Sequence, residues 1–390
     1  MVNSLFEQFV ENNLNVDTKQ LALHTKSVEG FNKTKAITQI GLLQKAVKKI
    51  PTFFEKRCLF TQKSYEQATS ERVAKYKCSL VSGQSLLDLT GGLGVDDYFF
   101  SKRFNKIVSV DPDEELNEIS KYNFSKLGAT NIERIAGTAE EYIVQCEKRF
   151  DMIYADPDRR DTNKQRKIHV KDWQPDITGM LDEIIERTET FALKLSPLFD
   201  LDELFKLFPN VFELYVISEL GEVKELFCVM KKKKVEGAKV FAVDLSDLKD
   251  LYYNSANEIH KFEETLIANE IYLYEAGNAL VKSKLWTTYA NQLQLEIIEK
   301  NTPLFMSDKL IHPFMGRVFK LIEKVSYKKK DIENYIAQKN IKQVNITRHN
   351  FDENVEQLRK RWKLKDGGTD YLFFANATLY HCVKLDTVNI

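Results

Sequence analysis

Between Phe6 and about Val81, apolar residues recur at three- and four-residue spacing without strict alternation, as in "TKAITQIGLLQKAVKKI" and "ERVAKYKCSLV", which predicts an all-helical N-terminal segment. Pro51 is expected to stop one helix, and "SYEQATSERVAKY" to open another with Thr69 or Ser70 as its cap. From Gln84 the pattern changes. Short apolar runs follow at 85–90, 106–111, 131–137, 150–156 and 190–196, separated by amphipathic stretches such as "EELNEISKYNFSKLG", whose Leu116, Ile119 and Tyr122 share one face. Strands separated by helices predict βαβ units and a parallel sheet covered on both faces. The next two runs, 213–218 and 225–231, are joined only by "ELGEVK", too short for a crossover, so they are expected to form an antiparallel hairpin. A further helix-rich stretch leads to a strand, helix, strand, helix, strand pattern from Gly316, the expected signature of a small α/β domain. The expected division is 1–80 (helical), 81–250 (α/β), 251–315 (connecting helical or α+β segment) and 316–390 (small α/β domain).

Length supports that division, because 390 residues exceed one ordinary core and provide enough apolar surface to fold without disulfides. The five cysteines, Cys58, Cys78, Cys146, Cys228 and Cys382, are dispersed and show no metal-ligand spacing, as expected for a reduced intracellular chain. The first residues carry acids where a signal peptide needs basic ones, and no apolar run approaches the roughly 18 residues of a membrane span. A soluble, cytoplasmic protein is expected. The 57 basic and 57 acidic residues cancel, so only their distribution is informative.

"LLDLTGGLGVDD" (86–97) ends a strand and opens a helix, the context in which glycines let backbone amides approach a cofactor. Asp111 ends the next strand, 23 residues after Asp88 (111 − 88), where a carboxylate accepts two ribose hydroxyls in both dinucleotide and S-adenosylmethionine enzymes. A dinucleotide fingerprint begun at Gly92 would need a third glycine where Asp97 stands, and a carboxylate there repels phosphate. No Gly-Lys-Ser/Thr follows, which excludes a P-loop. S-adenosylmethionine has no phosphate but carries a sulfonium and an amino-acid end. The expected cofactor residues are Asp88 toward that cationic end, Thr90, Gly91, Gly92 and Gly94 around it, Asp111 on the ribose, and Thr138 and Ala139 of "GTAEEYI" near the adenine.

Over roughly 80–235 the chain resembles class I S-adenosylmethionine-dependent methyltransferases through "DLTGGLGVD", "VSVDPD", "GTAEEY" and "YADPDRR". It is most similar to a bacterial group with a helical N-terminal region and a C-terminal THUMP-like domain. The resemblance implies a Rossmann-like seven-stranded sheet with an antiparallel last strand, and a C-terminal domain of a type that generally binds RNA. Charge agrees: from Gly316 to Lys365 there are 14 Lys and Arg against 6 Asp and Glu. "SYKKK" (326–330) and "RKRWK" (359–363) place Tyr327 and Trp362 among the cations, where aromatics would stack on unpaired bases or else belong to the core.

Amino-methylating relatives end the fourth strand with Asp or Asn, two prolines and an aromatic. Here Asp156 and Pro157 are kept, but Asp158 and Arg159 replace the second proline and the aromatic. Asp156 is expected to orient the nucleophile and Pro157 to fix the loop. Arg159 and Arg160 would clamp a substrate anion, or one of them would pair with Asp158 or Asp161. Lys194, Glu219 and Lys75 or Lys77, taken with Asp156, resemble the Lys-Asp-Lys-Glu set of ribose 2′-O-methyltransferases. Cys146 precedes the fourth strand and is no candidate nucleophile, the six histidines show no metal pairing, and His169 lies in a basic loop that could approach substrate. The expected function is methyl transfer from S-adenosyl-L-methionine to RNA, at a base amine or ribose 2′-O. The alternatives are a small-molecule or protein substrate, or a non-catalytic cofactor- or RNA-binding scaffold.

Overall fold

The structure, a computed structural model, describes residues 3–24, 30–159, 173–233, 237–245, 250–254, 263–267 and 269–385. By internal contacts the chain divides into a first unit, Met1–Glu213 with Leu226–Ala238, and a second, Leu214–Glu225 with Lys239–Ile390.

The first unit opens with six helices: α1 (Ser4–Asn12), α2 (Thr18–His24), α3 (Lys33–Lys49), α4 (Pro51–Glu55), α5 (Gln62–Gln67) and α6 (Glu71–Leu80). Ile50 is both the last cap of α3 and the first cap of α4, because Pro51 cannot donate to the preceding turn but is preorganised for a first helical position. Ser70 is the cap of α6 and accepts from the Val73 amide. Then β1 (Gly83–Asp88), α7 (Val95–Phe100), β2 (Phe104–Asp111), α8 (Glu114–Leu127), β3 (Ile132–Ala136), α9 (Ala139–Gln145) and β4 (Met152–Ala155) alternate as expected. The two-residue strands β5 (Asp158–Arg159) and β6 (Trp173–Gln174) follow, then α10 (Leu181–Arg187), β7 (Thr190–Leu195), α11 (Leu201–Leu207), β8 (Val211–Glu219) and β9 (Glu222–Lys231). Adjacent pairs among β3, β2, β1, β4 and β7 run parallel, and β9 is antiparallel to β7. Leu220 and Gly221, both at positive φ (52° and 77°), make the two-residue turn between β8 and β9.

The seven expected strands stand in the order β3-β2-β1-β4-β7-β9-β8. Two more, β10 (Lys239–Leu245) and β11 (Asp250–Asn254), extend the sheet to nine. Their burial is only partly alternating, so the sequence pattern did not announce them.

The rest of the second unit comprises β12 (Glu263–Leu266), β13 (Tyr272–Ala276), α12 (Asn278–Lys282), α13 (Trp286–Gln292), β14 (Glu296–Ile297), β15 (Leu304–Ser307), β16 (Lys309–His312), β17 (Gly316–Ser326), α14 (Lys329–Gln338), β18 (Asn345–Arg348), α15 (Val355–Trp362), β19 (Asp370–Ala375) and β20 (Thr378–Lys384). The sheet β14-β15-β13-β17-β20-β19-β18 runs through position 316, because β17 pairs with β13 on one side and β20 on the other. The last strand of the pattern expected from Gly316, "YLFFANATLYHCVK", is the hairpin β19–β20. Asn376 and Ala377 turn it at φ 45° and 48°. Among the described residues, no helix is long and apolar enough to cross a membrane.

Candidate active site

The C-terminal ends of β1, β2 and β4 and the segments that follow them border an open cavity of about 440 Å³ in the first unit. Parallel strands end together there, so loops distant in sequence meet at one edge of the sheet. Asp88, Thr90, Gly91, Gly92, Gly94, Asp111, Thr138, Ala139 and Asp156 all line it. Thr61, Lys63, Ser64 and Gln67, from α5 and its cap, close part of its rim, a contribution from the helical segment that the sequence did not disclose.

The glycine turn is held from both sides. Asp88 Oδ1 accepts from the Thr90 amide (2.7 Å) and hydroxyl (3.1 Å), the Gly91 amide donates to the Val110 carbonyl (2.9 Å), and the Gly92 amide donates to Asp111 Oδ2 (2.8 Å). Gly94 caps α7 at φ 80°, and a Cβ there would lie 2.3 Å from the Phe124 ring. Thr138 caps α9, its hydroxyl accepting from the Glu141 amide at 3.2 Å.

Beneath the turn lies a buried charge cluster that sequence reasoning missed. Arg134, from β3, donates to Asn117 Oδ1 (2.9 Å), Ser109 Oγ (3.0 Å) and the Gly92 carbonyl (3.0 Å), with Asp97 Oδ2 at 3.6 Å. A Cβ on Gly91 would come within 2.0 Å of Arg134 Nη1, so glycine is required there by close approach. Asp97, expected to stand where it would repel a phosphate, is instead wholly buried and receives the Ser109 hydroxyl at 2.5 Å. Burial, then the Asp97 charge, push the Asp88 carboxyl well above the usual carboxylate range. Burial also raises Asp97 against the pull of Arg134 and Ser109. Asp97 Oδ1 has no hydrogen-bond partner among the described residues. The signals were the acid pair "DD" directly after the glycines and an arginine inside an apolar strand.

The neighbouring acid, Asp96, is served by Lys77 (2.8 Å), Tyr154 (2.9 Å) and Thr69 (3.0 Å), all on Oδ2. Burial would raise its carboxyl, but the Lys77 and Lys194 charges and the hydrogen bonds outweigh it, leaving Asp96 below its ordinary value. Lys77 is entirely buried, whereas Lys75 is largely exposed and pairs with Glu71. Of the two lysine candidates, only Lys77 therefore faces inward. Glu219 belongs to the second unit.

Asp156 directly follows β4. Its amide donates to Thr90 Oγ1 (2.7 Å), and its Oδ2 accepts from Lys194 Nζ (2.5 Å). Asp158 Oδ2 accepts from Gln67 Nε2 (2.6 Å), which ties the loop to α5. Pro157 is half-buried beside the cavity-lining residues. The clamp expected of Arg159 and Arg160 falls outside the described side chains, as does His169. No cysteine lines the cavity; all five are buried and unbridged. Among the described residues, no three His, Cys, Asp or Glu cluster to hold a metal.

In the second unit, Trp362 is buried and stacked on Phe374 (3° between planes), and Tyr327 packs edge-on against Phe351 and Trp362. Trp362 is a core residue, and Tyr327 is partly buried against that core. Arg359 pairs with Asp366, and Arg361 with Glu353. Lys328, Lys329, Lys330, Lys360, Lys363 and Lys365 are exposed.

Sheet order and strand directions define the class I methyltransferase fold, followed by a second α/β unit. A family model described as THUMP domain-like matches 316–383, and one described as a ferredoxin-like domain matches 272–314. A solved candidate methyltransferase from Porphyromonas gingivalis W83 has the same fold across the chain, with a TM-score of 0.82, 24% identity and 98% of each chain covered. A Mycobacterium tuberculosis protein named as an uncharacterized S-adenosylmethionine-dependent methyltransferase is 27% identical over 168 residues, 43% of this chain and 44% of its own length. Ribosomal RNA small subunit methyltransferase J of Francisella philomiragia is 34% identical over 108 residues, 24% of this chain and 45% of its own length. The chain thus spans under half the length of the curated relatives it matches. The fold and the resemblance read from the sequence are borne out.

Proposed function

We propose that this protein is an S-adenosylmethionine-dependent methyltransferase acting on RNA in the cytoplasm, at a base amine or a ribose 2′-hydroxyl. The observation that carries the reading is that one cavity is lined by the glycine turn, Asp88, Asp111, Thr138, Ala139 and Asp156. The donor set fits this cofactor. Asp111, which lines the cavity, is assigned to the ribose hydroxyls, and no lysine directly follows the glycines to meet a phosphate. Asp88 is a buried acid to which a ligand ammonium restores a reason to ionise. When bound, the cofactor supplies an electrophilic methyl group. The protein's task is then to hold a nucleophile in line and take up its proton. Asp156 is assigned to that nucleophile, Pro157 to fixing its loop, and Arg159 and Arg160 to a substrate anion.

The test is methyl-labelled S-adenosylmethionine offered to total RNA, protein and metabolite fractions. Label in RNA is expected. Label confined to protein or metabolites defeats the RNA assignment, and cofactor binding without transfer to any fraction favours a scaffold.

Cofactor affinity is expected to fall as pH is lowered. The ammonium binds the ionised Asp88, whose pKa is raised by burial and the Asp97 charge in the empty protein, so binding favours loss of its proton. The loss reaches up to about tenfold per pH unit. Calorimetry in buffers of different ionisation enthalpy reads the released proton directly.

RNA contact is assigned to the exposed lysines of the THUMP-like region. Glutamine at Lys328, Lys329, Lys330, Lys360 and Lys363 is expected to weaken RNA binding at least about tenfold. Each lost contact to single-stranded RNA lowers the slope of log affinity against log salt by about 0.7. Filter binding across a salt series measures both, and undiminished binding removes these lysines from the interface.

A further inference from the structure

Lys194 lies in β7, and Asp156 directly follows its parallel neighbour β4. Ala155 pairs with Leu193, so the next residue of each chain segment emerges side by side at the cavity. The result is an ammonium 2.5 Å from the carboxylate assigned to the nucleophile. The deeper acid, Asp96, is paired with the buried Lys77 at 2.8 Å and is also lowered by the Lys194 charge. The lysine at the cavity is therefore a second positive charge placed where the reaction would occur.

That charge discriminates between nucleophiles. An amine attacking a methyl sulfonium gains positive charge on nitrogen, which an adjacent ammonium opposes. The amine also needs acceptors for its hydrogens, and one oxygen of Asp156 is committed to Lys194. An alcohol, by contrast, must lose its proton and develops negative charge on oxygen, which the same ammonium stabilises. Asp156 Oδ1 has no partner among the described residues and is the oxygen left to receive that proton.

Resting on the methyltransferase reading above, we infer that the Lys194–Asp156 pair selects an oxygen nucleophile, for RNA the ribose 2′-hydroxyl. The hydroxyl proton passes to Asp156 and on to water. A bond forms between the ribose oxygen and the methyl carbon, the carbon–sulfur bond breaks, and its electron pair remains on the sulfur, now a neutral thioether.

The experiment uses the full chain, methyl-labelled S-adenosylmethionine and total RNA from cells lacking the gene, with complete digestion and separation of nucleosides. Label is expected in 2′-O-methylnucleosides. Lys194→Met is expected to lower transfer by at least about 100-fold, with Lys194→Arg restoring part of it. Affinity for S-adenosylhomocysteine, measured by calorimetry, is expected to change less than about threefold in both variants. Label on a base nitrogen overturns the inference while leaving the RNA methyltransferase reading intact. So does full activity of Lys194→Met, or loss of its S-adenosylhomocysteine binding, which would make Lys194 a cofactor residue. Absence of label from RNA defeats the underlying RNA reading instead.

Discussion

Asp156→Asn is expected to lower methyl transfer by about 10²–10⁴-fold, the range for loss of a positioned proton acceptor, with S-adenosylhomocysteine affinity unchanged. The backbone at this position is held independently of the side chain, since its amide donates to Thr90 Oγ1 at 2.7 Å. Asparagine therefore keeps the loop shape and removes only the charge. Without that charge the side chain no longer takes a proton, and the ion pair to Lys194 becomes an ordinary hydrogen bond. The magnitude is informative about chemistry. An amine nucleophile needs only a hydrogen-bond acceptor, which an amide oxygen supplies, so a loss of less than about tenfold would point to nitrogen. Single-turnover transfer and calorimetry on the same preparation separate the chemical step from binding.

The second large effect concerns a residue remote from the reacting atoms. Arg134→Leu is expected to destabilise the first unit by about 3–5 kcal/mol, the cost of leaving a buried charge without its partner. Arg134 and Asp97 both have fully buried side chains. The substitution would also remove the Arg134 donor from Asn117 Oδ1 and leave the Gly92 carbonyl with the Ser120 hydroxyl at 3.2 Å. Because the Gly92 carbonyl belongs to the glycine turn, the turn should loosen as stability falls. Amide exchange of β1, β2 and β3 in the native chain reads this locally, without assuming that the two units unfold together. Adding Asp97→Leu to the Arg134→Leu protein should recover part of the loss, since two apolar side chains remove the stranded charge. No recovery would show that Arg134 acts through packing and not through its charge.

Much of the fold could be read from local pattern. Helical spacing before residue 81, short apolar runs separated by amphipathic stretches, and the "ELGEVK" turn each depend on a few consecutive side chains, and each corresponds to observed elements. Failures came where the pattern was weak. Strands β10 and β11 are partly exposed, and Ala377 at positive φ is not a residue that signals a turn. The cavity-lining acids and glycines were legible because a glycine turn between a strand and a helix has few purposes. The THUMP-like aromatics were not. Tyr327 and Trp362 lie among lysines in sequence, but alternate faces of a helix or strand point to opposite environments.

What the sequence alone determined is the alternation that builds a parallel sheet, and the position of Asp88, Asp111 and Asp156 at the ends of its strands. Only tertiary structure decided which charges meet. Strand register placed Lys194 on Asp156, and burial turned Lys77 and Arg134 from two ordinary cations into the partners of Asp96 and Asp97. The reason is that periodicity is a property of neighbouring residues. The cost of a buried charge, and hence its partner, is set by residues brought together from 19 to 38 positions away.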